Sequence, residues 1–131
     1  PLSRDAAEMF AHPNIATMSV VRPDGQPVSV ATWYLYENGR VLVNMDSTRK
    51  RLQYMQEDDK VSLTAMDPGN WYTHLSVQGR IVEFVPDIDL RDIDRIAVHY
   101  TGKPYAVREG QRVSAWIEID SWHGWGSLKK D

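Results

Sequence analysis

The chain contains no cysteine. Disulfides, zinc–thiolate sites and thiol nucleophiles are thereby excluded together, and a reducing, cytoplasmic setting is expected. Its four histidines, at positions 12, 74, 99 and 123, show no paired spacing on one element and stand in no carboxylate cluster, so no metal site is expected. No apolar run approaches the roughly 20 residues that cross a bilayer, and the N-terminus lacks the charged-then-apolar pattern of a secretory signal. There is no G-x-G-x-x-G, no P-loop and no G-x-S-x-G elbow, which argues against a doubly wound nucleotide fold and against a serine hydrolase. Positive charge is not in excess either. Fifteen Lys and Arg against eighteen Asp and Glu leave a net charge of −3, so no nucleic-acid footprint covers the surface and any basic site must be local. At 131 residues the chain is expected to form a single domain over 1–131, with room for one core and none for a separate cofactor domain.

What is present reads as strands and tight turns. Ser3 caps a short amphipathic helix that Pro13 ends. A β-branched stretch, 14–22, turns at Pro23-Asp24-Gly25 into a second strand, Pro27 to Tyr36, and Asn38-Gly39 delivers a third, Arg40 to Met45. Lys60 to Met66 is a fourth. Asp67-Pro68-Gly69-Asn70 leads into a long fifth strand, Trp71 to Val85, in which Gly79 predicts a bulge or bend. Asp87 starts a helix with Leu90, Ile93, Ile96, Ala97 and Tyr100 at helical spacing, Asp87/Arg91 and Asp92/Arg95 as surface pairs, and Gly102 at its end. The alternating aspartates 87, 89, 92 and 94 read as caps and surface pairs. Gln111 to Asp120 is the last strand. Six antiparallel strands with helices at the connections make a mainly β fold, and closure into a small barrel removes the exposed edges.

Two features carry chemistry. Ser47 or Thr48 is a natural N-cap, which puts Arg49, Lys50 and Arg51 into the first turn of the helix that follows. That end of a helix already bears about half a positive charge and unpaired N–H groups, so three cations there repel it unless an anion lies between them. A phosphate resolves the conflict; the alternative is three solvated cations balanced by Glu57, Asp58 and Asp59. The second feature is five tryptophans. Trp33 and Trp116 lie on strands and read as core. Trp71 with Tyr72 opens the long strand, and Trp122, His123 and Trp125 occupy a glycine-containing tail past the last one, where large aromatics line an interface or a planar-ligand cleft. His74 is placed to donate to a ligand or to stand as a satisfied, half-exposed histidine. An anion site beside an apolar cleft suits a phosphate-bearing planar cofactor.

In this order the motifs resemble a known family. Ile15 to Gly25, Pro27 to Tyr34, Asn44 with Ser47 to Arg51, Asp59 to Leu63, Val77 to Glu83 and His99 to Tyr105 are together similar to the FMN-binding split-barrel superfamily of the pyridoxamine phosphate oxidases, and within it to the actinobacterial coenzyme F420-dependent reductases of group B. The resemblance implies a six-stranded split barrel with peripheral helices and a homodimer with two cofactor sites at the subunit interface. It implies that Arg49, Lys50 and Arg51, with Ser47, hold the cofactor phosphate and that the strand Pro27, Val28, Ser29, Val30, Ala31 and Thr32 lies along the ring. Trp71, Tyr72 and His74 of the partner then close the site. The cofactor implied is coenzyme F420, with FMN as the alternative. The reaction is hydride transfer to a conjugated enone, lactone, quinone or tetrapyrrole, the proton coming from solvent, His74 or Tyr72. Pyridoxamine phosphate oxidases carry a further Arg and Lys along the second strand; Val28 to Trp33 offers neither, which speaks against vitamin B6 oxidation. The remaining alternatives are an FMN-binding oxidoreductase of the same superfamily and a non-catalytic cofactor or haem binder, for which His74 or His123 is the axial candidate.

Overall fold

Turn chemistry sets the strand boundaries. In the computed structural model, which describes residues 1–129, Asn38 and Gly39 both take positive φ (54° and 76°), the conformation a two-residue hairpin turn needs, and they join β3 (Leu35–Glu37) to β4 (Arg40–Asp46). Gly25 at φ 87° likewise turns β1 (Ile15–Val21) into β2 (Pro27–Thr32). The remaining strands are β5 (Lys60–Asp67), β6 (Asn70–Pro86) and β7 (Arg112–Trp125), and the three helices are α1 (Arg4–Phe10), α2 (Lys50–Glu57) and α3 (Arg91–Thr101). Every strand pairing is antiparallel, in one sheet of order β2-β1-β5-β6-β7-β4-β3.

Seven strands replace the expected six because Pro27 to Tyr36 breaks at Trp33 and Tyr34. The break is what closes the sheet. β2 pairs with β1 at one edge of the sheet and β3 with β4 at the other, yet only two residues separate them. Three extended steps, Thr32 to Leu35, span at most about 11 Å, so the edges must curl toward each other as in a split barrel. Tyr34, at the seam, is fully buried: its hydroxyl donates to the Phe10 carbonyl (2.7 Å) and accepts from Asn14 Nδ2 (3.0 Å), and its ring stacks on Phe10 at 4.7 Å.

Alternation supplies the core. Met18, Leu63, Val77 and Ile117 point inward from four neighbouring strands to meet Val41, Val43 and Met45 of β4, with Phe10 of α1 and Leu52 and Met55 of α2 packed against them. Ser3 caps α1 as expected, accepting from the Ala6 N–H at 3.2 Å. At Gly79 the register of β6 against β7 slips, and a Cβ there would stand 2.0 Å from the Glu118 carbonyl oxygen.

Three expectations need correction. β7 continues to Trp125, so Trp122, His123 and Trp125 lie in a strand that pairs with β6 rather than in a tail. Asp87 does not pair with Arg91. It is buried, and its carboxylate accepts from the N–H groups of Asp92 (3.0 Å) and Ile93 (2.9 Å), satisfying donors that the start of α3 leaves open. Neither strand tryptophan fills the core: Trp116 lies under the Arg40 guanidinium at 4.7 Å, and Trp33 is exposed at the seam. No helix among the described residues is long and apolar enough to cross a membrane.

Candidate functional site

The barrel seam opens into a cavity of about 490 Å³. Ile15, Ala16, Ala31 and Thr32 border it from β1 and β2, Asn44, Asp46 and Arg112 from β4 and β7, and α3 covers it with Ile93, Ile96 and Tyr100. Trp33 stacks on Tyr100 with ring centroids 5.2 Å apart and takes the edge of Tyr105 at 6.2 Å, giving the cavity an aromatic wall. The Tyr100 hydroxyl donates to the Asn14 carbonyl at 2.8 Å, and burial pushes its phenol up to about 12, so it remains protonated near neutral pH.

Arg49 and Arg51 enter from the start of α2. The expected cap is displaced by one residue: Arg49 itself is the N-cap, and neither Ser47 nor Thr48 caps the helix. The reason is Asp46, whose Oδ1 accepts from both the Thr48 N–H (2.8 Å) and the Thr48 hydroxyl (2.7 Å), closing a local turn that holds the threonine toward Asp46 and away from the helix N–H groups. Asp46 is held below the usual carboxylate range chiefly by that Thr48 contact, with Arg112 and Arg49 adding to it.

α2 therefore begins with no side-chain cap and no acidic residue in its first turn. The Arg51 Nε is buried without a hydrogen-bond partner among the described residues. Burial first, then repulsion from Arg49 and Arg112, lowers the Arg51 pKa. A buried, unpartnered guanidinium nitrogen between two like charges is the environment that an anion completes, and the site fits a phosphate on this ground.

Of the thirteen residues expected at the site, Arg49, Arg51, Ala31 and Thr32 line the cavity. Lys50 is exposed outside it, Ser47 does not border it and donates its N–H to the Gln111 carbonyl at 2.8 Å, and Pro27, Val28, Ser29 and Val30 continue along the edge strand away from its mouth. Trp71 and Tyr72, 68% and 57% exposed, project from the start of β6, and His74 stacks on Trp125 at 6.4 Å; none of the three borders the cavity of its own chain. Sequence reasoning missed Arg112, Asn44, Asp46, Trp33, Tyr100 and Tyr105 as site residues. The aromatic pair Tyr100 and Tyr105 had a signal in the segment His99 to Tyr105; Arg112 had none. Among the described residues no cluster of His, Asp or Glu is arranged to hold a metal ion.

The family model for pyridoxamine 5'-phosphate oxidase matches residues 2–126. No curated protein sequence matches the chain. Among solved structures, an F420 reductase superposes with a TM-score of 0.83 at 22% identity over 92% of this chain and 98% of its own. A conserved hypothetical protein from Mycobacterium tuberculosis gives 0.76 at 23% identity, covering 95% of this chain and 85% of the other. General Stress Protein 26 from Bacillus anthracis gives 0.69 at 15% identity, covering 92% and 90%. At these identities the likeness is one of fold.

Proposed function

The chain belongs to the pyridoxamine 5'-phosphate oxidase family, and on that footing we propose that it is a cytoplasmic coenzyme F420-dependent reductase acting on a conjugated enone, lactone, quinone or tetrapyrrole. One observation carries the reading: Arg51, half-buried with its Nε unpartnered and repelled by Arg49 and Arg112, borders a cavity that also has an aromatic wall. When bound, the reduced deazaflavin supplies hydride at carbon. The chain's own part is to bind, orient and exclude water. Arg49 and Arg51 hold the phosphate, with Lys50 and Ser47 beside them in sequence, and β2, exposed along most of Pro27 to Thr32, is the surface on which the ring lies as it leaves the cavity mouth. Binding and orientation are most of what hydride transfer requires, which accords with the lack of a catalytic triad. The proton comes from solvent, His74 or Tyr72, while Tyr100, protonated and holding the Asn14 carbonyl, serves as wall.

The second half of the proposal is a homodimer. Opposite the core, the sheet presents rows of uncharged residues in register: Thr17 beside Thr64, Ser76 and His123, and Ser19 beside Ser62, Gln78 and Ser121. The next row carries Ile15, Met66, His74 and Trp125. These three rows carry no Asp, Glu, Lys or Arg and end at the charged row Lys60, Arg80 and Glu118, a pattern that suits burial against a second copy, since charge is depleted at the centre of interfaces and gathers at the rim. It would bring the partner's Trp71, Tyr72 and His74 toward the cavity. Thr64→Arg is expected to convert the dimer to a folded monomer that no longer binds cofactor, read by sedimentation equilibrium with circular dichroism as the fold control; a cofactor-binding dimer would refute the arrangement.

The deciding experiment is parallel titration with coenzyme F420 and FMN at fixed salt, followed by tryptophan fluorescence, for which Trp33 on the cavity wall is a built-in reporter. Tighter binding of F420 is expected. Tighter FMN binding would move the protein to the flavin branch of the family, and binding of neither would return the arginines to the role of solvated surface cations.

A further inference from the structure

Arg112 opens β7, opposite Asp46 of β4, and borders the cavity near enough to the start of α2 to repel Arg51. Its guanidinium is fixed on two sides. Nε donates to Asn44 Oδ1 at 2.7 Å, and the Tyr105 ring lies against its face at 4.8 Å. That leaves both Nη groups for a ligand, since among the described residues neither is paired.

Asn44 is itself not free to turn. It is buried, and its Nδ2 donates to Asp87 Oδ2 (3.1 Å) and to Ser114 Oγ (3.0 Å). The Ser114 hydroxyl spends its proton on Asp92 Oδ2 at 2.7 Å, so toward Asn44 it can only accept. Flipping the amide would set a carbonyl oxygen against the Asp87 carboxylate and leave Arg112 facing an N–H₂ group. The orientation of Asn44, and through it that of Arg112, is therefore dictated by three acceptors that already serve α3 and β7. The same buried network that anchors the start of α3 thus also aims a cation toward a cavity already holding Arg49 and Arg51, on whose lining Asp46 is the sole carboxylate among the described residues.

We propose that Arg112 is the third cation of the phosphate site, set by Asn44 and Tyr105 so that a phosphate ester is gripped between the start of α2 and the start of β7. This rests on the phosphate-site reading above and adds to it a residue from the far end of the chain that determines selectivity for phosphorylated over unphosphorylated cofactor. Asn44 is a positioning residue, acting only through Arg112.

The test compares coenzyme F420 with its phosphate-free deazaflavin riboside, titrated into the unsubstituted protein and into Arg112→Gln. Loss of one charge-assisted contact predicts F420 binding weaker by about 10- to 100-fold, with affinity for the riboside unchanged. Unchanged F420 affinity, or equal losses for both ligands, would overturn the role of Arg112 while leaving Arg49 and Arg51 in place. Failure of the unsubstituted protein to bind F420 or FMN would instead remove the phosphate-site reading, and this proposal with it. Should Arg112→Gln not fold, the unsubstituted protein decides the question through phenylglyoxal modification read by mass spectrometry. Protection of Arg112 by F420 and not by the riboside is expected, and equal modification with either ligand would refute the assignment.

Discussion

Replacing Arg49 and Arg51 together by alanine is expected to weaken binding of the phosphorylated cofactor by about 100- to 10,000-fold, two charge-assisted contacts at about 1.5–3 kcal/mol each. The same substitution is expected to leave the free protein at least as stable as before. Arg51 is partly desolvated, lacks a partner for its Nε and is repelled by Arg49 and Arg112, so its charge opposes folding until an anion arrives. Its removal should raise the melting temperature of the ligand-free chain by a few degrees. Isothermal or fluorescence titration gives the first effect and differential scanning calorimetry the second. Intact affinity in a folded double variant would show that the cations are solvated surface charges; a sharply lowered melting temperature would show that they serve the fold. The two readouts are opposite in sign, as expected where a site is kept strained for its ligand.

The largest effect on stability is expected at Gly79. An alanine Cβ there would lie 2.0 Å from the Glu118 carbonyl oxygen and 3.1 Å from Ile117 Cγ2, and the first of these is backbone, which no rotamer change relieves. To fit it, β6 and β7 must part at the bulge that lets the long strand bend, breaking ladder bonds on both sides. Gly79→Ala is therefore expected to cost at least about 3 kcal/mol, at the upper end of overpacking substitutions, measured by urea denaturation. A loss below about 1 kcal/mol, within the range of ordinary surface substitutions, would mean that the two strands yield at little cost.

Gly79 was legible in the sequence because a lone glycine within a long strand pattern has few other uses, and the hairpins at Gly25 and Asn38-Gly39 were legible for a similar reason: positive φ restricts the choice of residue. The cationic helix start was legible as a conflict that its neighbours did not resolve. Its cap was misread because Asp46, two residues before Thr48, draws the threonine's N–H and hydroxyl into a local turn that points it away from the helix, a side-chain effect that propensity does not weigh. The run Trp122 to Trp125 looked like a tail because Ser121, His123 and Gly124 are weak strand formers; pairing with β6 overrides them. Arg112 was invisible for a different reason. What makes it a site residue is Asn44, 68 positions away, and a contact at that separation leaves no mark on local pattern.

The two-residue link between β2 and β3 has a kinetic consequence. Because it ties the sheet's outer edges together from the start, closing the barrel waits on the non-local pairings of β1 with β5 and of β4 with β7, whose loop-closure entropy makes them the slow part of the route. The cavity is bordered from both sides of that seam and from α3 above it, and so does not exist in any state that precedes closure. A ligand bound there has nothing to grip in the transition state if that state is still open. It therefore leaves the refolding rate untouched and acts almost wholly by slowing unfolding, so that a saturated protein outlives a bare one in the face of heat or protease without ever having folded faster.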